Sequence, residues 1–377
     1  MPRNQPISRL ATAMCTIALT FAAPYLRADS FTQTNLVSDV PGLANTTDPN
    51  LKNPWGVSFS ATSPFWVSNQ ASGNSTLYDG AGNINSLVVT IPAGATLPNG
   101  PTGQVFNNST GFLVNGTQSN FIFDSLHGTI SAWNPSAGTT AVQMAATPGA
   151  VYTGLAQDTT GGSTFLYAAN SNGNIHVFNS SWTDVTGTAM FAGKFVDPNP
   201  MAGFVPFNIQ TVGSNLYVTY AQLTPTGSPL PGGYVDEYDA SGNFIKRIAT
   251  GGPLSAPWGI TLAPANFGSF SNDLLVGNFG NGEILAYDAT TDLFLGTLDG
   301  ANGQPLDNPF LWSLETRTGG ANDNTNALYF TAGINNQQDG LFGEITEVPE
   351  PATIFGTASG LLALALSKVR RPRSSSC

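Results

Sequence analysis

Side chains able to do chemistry are few and scattered along this chain. Its 377 residues hold two histidines, His127 and His176, and two cysteines, Cys15 and Cys377. His127 immediately precedes Gly128 and reads as exposed. His176 falls at a repeat position filled elsewhere by Thr76, Ser131, Asp236 and Leu285, and reads as an ordinary strand residue. A metal-dependent hydrolase would need oxygen ligands converging on one point, and Asn53, Asn208 and Asn308 are the candidates. Asp158 and Glu315 lie further along their segments, a thin acidic complement. Ca2+ prefers several carboxylate and carbonyl oxygens. Asp48-Pro49-Asn50 and Asn322-Asp323-Asn324-Thr325-Asn326 are oxygen-rich, but neither has the glycine and final glutamate of an EF-hand loop, so a solvated turn is the default reading. No zinc-ligand spacing, G-x-S-x-G elbow, P-loop or dinucleotide fingerprint occurs. Arg317 has no histidine partner, which sets aside a quinone-dependent sugar dehydrogenase.

A second kind of chemistry is done to the chain. Near its end stand Val348-Pro349-Glu350-Pro351, then residues 352–367 without a charge, then Lys368, Arg370, Arg371 and Arg373. At about 1.5 Å per residue, a helix over that stretch spans roughly 24 Å, short of the ~30 Å hydrocarbon core. Thinning of the bilayer and snorkelling of the basic side chains would close the gap. The basic cluster predicts a cytoplasmic end, with everything before Pro349 outside. This three-part tail resembles the PEP-CTERM sorting signal of Gram-negative bacteria. The resemblance implies recognition by an exosortase-type processing enzyme, with transient residence in the inner membrane. Arg3 and Arg9 before the apolar residues 10–23 predict a signal peptide over residues 1–28.

With residues 1–28 and 351–377 set apart, the body keeps only Lys52, Lys194, Lys246, Arg247 and Arg317 against all 23 acidic residues, a net charge of about −18. Such a body repels nucleic acid and anionic lipid. It also contains no cysteine, so its core alone must hold it.

The body is a repeat. Glycine, four residues, an aromatic and then Asp or Asn recur at Gly73–Asp79, Gly128–Asn134, Gly173–Asn179, Gly233–Asp239 and Gly282–Asp288, with a degenerate sixth copy from Gly340 to Thr346. Short apolar strands such as Phe65-Trp66-Val67 precede each copy. Openings such as Pro54-Trp55-Gly56, Pro206-Phe207, Pro257-Trp258-Gly259 and Pro309-Phe310 lie further upstream. The glycine supplies positive φ in a hairpin, the aromatic packs a sheet face, and the Asp or Asn starts the next turn. Six units of about fifty residues predict an all-β, six-bladed β-propeller with four-stranded blades over residues 29–347, ahead of the tail at 348–377. The last unit lacks a strand, and Phe31 to Val37 is expected to supply it. The recurring aromatics Trp55, Phe207, Trp258 and Phe310 are expected to pack between blades.

Long strings, including Leu36-Val37-Ser38-Asp39-Val40-Pro41-Gly42-Leu43, Ala256-Pro257-Trp258-Gly259 and Leu275-Val276-Gly277-Asn278-Phe279-Gly280, resemble a family of uncharacterised bacterial propellers with PEP-CTERM tails. The resemblance covers roughly residues 35–350. It implies a cell-envelope or extracellular setting alongside exopolysaccharide production, and no particular activity. The leading expectation is therefore a non-catalytic binding or display protein. A lactonase-type propeller hydrolase with a metal in the central channel is the alternative.

Overall fold

The structure is a computed structural model and describes residues 29–92, 100–224, 228–317 and 319–349. Six antiparallel sheets follow one another around a central channel. Blade one comprises Pro54–Ser58, Phe65–Asn69, Asn74–Tyr78 and Ile84–Thr90, from the innermost strand outward. The inner strands of blades two to six are Pro101–Phe106, Tyr152–Thr160, Val205–Val212, Pro257–Leu262 and Leu311–Thr316. The signal peptide, Glu350, Pro351, residues 352–367, Lys368, Arg370, Arg371 and Arg373 lie outside the described residues.

The repeat residues act as their types dictate. Gly73, Gly128, Gly173, Gly233 and Gly282 all have positive φ in the turn before their third strand. Asp79, Asn134, Asn179, Asp239 and Asp288 each accept a backbone N–H two residues on, which closes the turn to the outer strand. The buried apolar side chains gather into six clusters, each shared by two neighbouring blades. Every repeat contributes its aromatic-position residue to a different cluster: Tyr78, Trp133, Phe178, Tyr238, Tyr287 and Ile345. Burial of an apolar side chain of this size contributes roughly 1.5–3 kcal/mol. A large apolar side chain at one spacing, aromatic in five repeats and Ile345 in the sixth, thus helps cement each blade to the next.

Phe31–Ser38 pairs antiparallel with Leu341–Glu347 and becomes the fourth strand of blade six, with the short strand Thr46–Thr47 added parallel outside it as a fifth. Buried Ser38 donates to Gly340 O at 2.7 Å, and Gly340 N donates to Asp39 Oδ1 at 2.7 Å. The ring is closed by the two ends of the body.

The expectation of four strands in every blade needs correction. Blade three has three, Tyr152–Thr160, Ser163–Asn170 and Asn174–Asn179. The following segment carries Gly187, Gly193, Pro198 and Pro200, too closely spaced for a continuous strand. Val185 N still reaches Val177 O at 2.8 Å, where a fourth strand would begin. Phe191 and Phe195 then turn inward onto Phe165 and Tyr167, and Phe195 also reaches Tyr238 of blade four. Aromatic packing fills the place of the missing strand.

Candidate functional site: the two mouths of the channel

All six inner strands carry a bulge at the same level. Trp55 and Gly56 together oppose one residue of the second strand, as do Thr102 and Gly103, Trp258 and Gly259, and Trp312 and Ser313. Thr153 and Phe207 are the extra residues in blades three and four. A bulge re-aims a side chain, and in blades one, four, five and six it brings an aromatic, Trp55, Phe207, Trp258 and Trp312, into one central cluster. The inner strands crowd together at this waist. A Cβ on Gly56 would lie 2.8 Å from Thr102 O, and one on Gly154 would overlap Asn208 Oδ1.

The aromatics so directed meet across the channel. Trp55 of blade one stacks on Trp312 of blade six with ring centroids 3.5 Å apart, and meets Trp258 of blade five edge-on at 6.3 Å. Phe207 of blade four lies 5.9 Å from Trp312, and Phe279 lies 4.3 Å from it. Trp258 Nε1 donates to Thr153 O of blade three, across the axis, at 2.9 Å. Trp312 Nε1 donates to Asn53 Oδ1 at 3.1 Å. These aromatics pack between blades, and they do so at the axis: Trp55, Phe207 and Trp258, with Phe310 at the edge, form a central cluster that plugs the channel. The bulge is the reason. A residue in regular strand register would face a neighbouring blade.

The plug leaves two cavities. The upper one, where the inner strands begin, encloses about 650 Å3. Its floor is Trp55, Trp312, Phe207 and Phe279. Its rim comes from the turns between second and third strands: Gln70, Leu126, Asn172, Thr224 and Gln337. The lower cavity, about 290 Å3, lies beyond the plug toward the ends of the inner strands. Gln157, Asn208, Gln210, Ser313 and Glu315 line it, with Phe59 and Phe106 at its edge. Gln210 Nε2 donates to Glu315 Oε1 at 3.1 Å. Confinement in the channel pushes the Glu315 carboxyl up to about 8, only partly offset by its bonds from Gln210 and Ser313. Behind the waist, buried Asp124 accepts from Thr102 Oγ1 at 2.7 Å and from Gly103 N at 2.6 Å. Burial raises its carboxyl to about 7.

The residues proposed as metal ligands do not converge. Asn208 lines the lower cavity, but its amide donates to Trp258 O at 2.9 Å. Asn53 is bonded to Gln70 and Trp312. Asn308 exchanges two bonds with Gln33. Asp158 caps Thr159 N at 2.6 Å and lines neither cavity. Among the described residues, no group of three or more His, Cys, Asp and Glu side chains could hold a metal ion. The oxygen-rich loops are engaged as well. Asp48 accepts from Tyr78 OH at 2.8 Å and from Asn50. Asp323 lies 2.8 Å from Arg317 Nε in a buried ion pair, with the guanidinium over Phe59 and Phe65. His176 is held by Tyr152 OH at 2.7 Å, and burial lowers its pKa. His127 is half-buried rather than exposed.

Of the two acidic residues the sequence offered, Glu315 lines the lower cavity and Asp158 does not; Trp312, the centre of the plug, was missed. Alignment of Trp312-Ser313 with Trp55-Gly56 and Trp258-Gly259 was the available signal.

No family model matches the chain. Over 326 residues it is 30% identical to uncharacterized protein R648 of Acanthamoeba polyphaga mimivirus, covering 82% of this chain and 78% of that protein. The chain belongs to the R648 family. Uncharacterized protein L690 of the same virus is 28% identical over 326 residues, covering 83% of this chain and 84% of the viral one. Among solved structures, a streptogramin B lyase is similar with a TM-score of 0.44 and 12% identity, over 84% of this chain and 97% of the lyase. That likeness is too distant to transfer an activity. For this member of the R648 family, the fold itself is a rigid scaffold with two mouths, a build suited to binding or display.

Proposed function

We propose that this is an exported protein, sorted at its C-terminus by an exosortase-type enzyme and delivered to the cell envelope or the extracellular matrix, where its propeller binds or displays. The order of proline motif, apolar stretch and basic cluster in the sequence carries this reading. The geometry at the end of the body is compatible with processing there. The last strand ends at Glu347, Val348 N donates to Ser30 O at 2.8 Å, and the ring is complete before Glu350. Removal of the tail therefore breaks no blade. Fractionation of a host that carries the sorting enzyme tests the proposal. Glu350→Ala, or deletion of residues 352–377, is expected to retain the protein in the wrong fraction with its melting temperature unchanged. Unaltered fractionation of both variants would refute it.

A further inference from the structure

The lower cavity holds one acidic group that nothing in its wall neutralises. Two residues beyond the bulge, the inner strands of blades one to five carry the neutral side chains Ser58, Val105, Ala156, Gln210 and Thr261, whereas blade six carries Glu315. All of these except Thr261 line the cavity. Among the described residues, Glu315 is the only titratable side chain in the lining, and no Lys, Arg or His stands there. Arg317, two residues further along the same strand, is committed to Asp323 at 2.8 Å.

Unlike the rings of the plug, this carboxyl is open to an occupant. Glu315 is half-buried, as are Gln157, Gln210 and Thr211 beside it and Phe59 and Phe106 at the edge. Gln210 comes from blade four, two blades away, and its amide donates to Glu315 Oε1 at 3.1 Å; Ser313 is the other side chain bonded to the carboxyl. Both contacts are neutral, so they fix the group and leave its charge uncompensated. A confined carboxylate without a countercharge is costly, and an occupant that brings a positive charge relieves that cost. A metal ion suits the site poorly. Ca2+ takes roughly six to eight oxygen ligands, and among the described residues no group of three or more His, Cys, Asp and Glu could hold a metal. An ammonium group asks for less. Its three N–H donors can be met by one carboxylate and the neutral side-chain oxygens of Gln157, Gln210 and Thr211. Phe59 and Phe106 offer apolar surface to its carbon stem. The volume of about 290 Å3 is at the low end of the roughly 300–1,000 Å3 usual for small-molecule sites, which limits the occupant to a small one. A body near −18 draws cations toward it and repels anions.

We propose that the lower mouth binds a small primary amine in its ammonium form, with Glu315 as the counter-ion. This rests on the binding half of the proposed function and is independent of the sorting half.

Isothermal titration of the full chain tests it, in amine-free phosphate buffer with a non-ionic detergent. The probes are n-butylammonium and benzylammonium, their neutral analogues n-butanol and benzyl alcohol, and butyrate. At least one ammonium is expected to bind saturably at millimolar concentration or below, roughly tenfold or more tighter than its alcohol or butyrate. Glu315→Gln keeps an acceptor for Gln210 and removes the charge, so it is expected to weaken ammonium binding roughly ten- to hundredfold. A second readout needs no variant. Glu315 titrates at about 8 in the empty cavity, so an occupant that requires the carboxylate must displace its proton. Affinity is therefore expected to rise about tenfold from pH 6 to pH 7 and more slowly from pH 7 to pH 8. Should Glu315→Gln fail to fold, this profile and the comparison with the alcohols decide. No saturable binding of either ammonium overturns the proposal. So does an alcohol or butyrate that binds as tightly, an affinity that falls as pH rises, or undiminished binding by folded Glu315→Gln. A protein that is sorted correctly but binds no amine fails only here, and one that binds but is not sorted fails only the localisation test.

Discussion

Asp124 and Glu315 are carboxyls held where solvation is poor, with folded pKa values of about 7 and about 8 against ordinary values of 3.8 and 4.5. The folded chain therefore binds more protons than the unfolded chain between about pH 4 and pH 8. Stability from these groups is fully present below pH 4 and falls as pH rises through the folded values. Urea midpoints measured from pH 4.5 to 8.5 are expected to decline across that window. Asp124→Asn keeps an acceptor for Thr102 and Gly103 and should flatten the decline by on the order of 2 kcal/mol. Glu315→Gln should flatten it less, because solvent reaches Glu315 through the lower mouth. A slope unaltered in both variants would exclude these two residues as its source.

At the scale of the element, the strand Phe31–Ser38 is the most exposed to test. It supplies the fourth position of blade six, and Phe31 packs on Phe267 of blade five at 4.8 Å. Deleting residues 29–38 exposes the edge of Leu341–Glu347 and uncovers Phe267 and Phe342. The expected result is a drop in melting temperature of more than 10 °C, or self-association through the open edge in size-exclusion chromatography. A monomer with unchanged melting would refute the closure. This strand was legible in the sequence because a repeat that lacks one strand must borrow it, and Phe31 to Val37 was free to be lent. The hairpin glycines and the turn-closing Asp79 and Asp239 were legible for a similar reason, since their chemistry is local. The missing fourth strand of blade three was not, because Phe191 and Phe195 replace backbone pairing with ring packing onto Phe165 and Tyr167 of that blade, and Phe195 onto Tyr238 of the next. The channel plug was hidden by a different cause. A bulge shifts side-chain direction by one residue without altering composition, so Trp55 and Trp258 read as packing residues until their register is known. Glu315 was legible as an acidic candidate on an inner strand, but its separation from Asp158, which lines neither mouth, was not.

For the whole molecule, charge and cohesion oppose each other. A body near −18 without a disulfide is held by six inter-blade clusters and the central one. Its few cations are already engaged. Lys52 bridges Asp39 and Asp339, Lys246 meets Asp292 at 2.7 Å, and Arg247 meets Asp236 at 2.7 Å. Repulsion among the remaining carboxylates is long-ranged and shortens with ionic strength, from about 30 Å at 0.01 M to about 8 Å at 0.15 M. Thermal unfolding at pH 8 is expected to shift upward by several degrees when NaCl is raised from 10 to 150 mM. A downward shift would mean that the ion pairs outweigh the repulsion.

The closing strand also sets an order of events. Residues around Ser38 bond to residues around Gly340, some three hundred positions later in the chain. Blades one to five can each collapse from neighbours in sequence as the chain emerges. The first strand made must instead wait, unpaired, for the last one. Long-range pairing of this kind slows folding because the loop must close before the contact gains anything. The propeller is thus kinetically an open arc for most of its synthesis, and it becomes a ring in one late step that involves both ends.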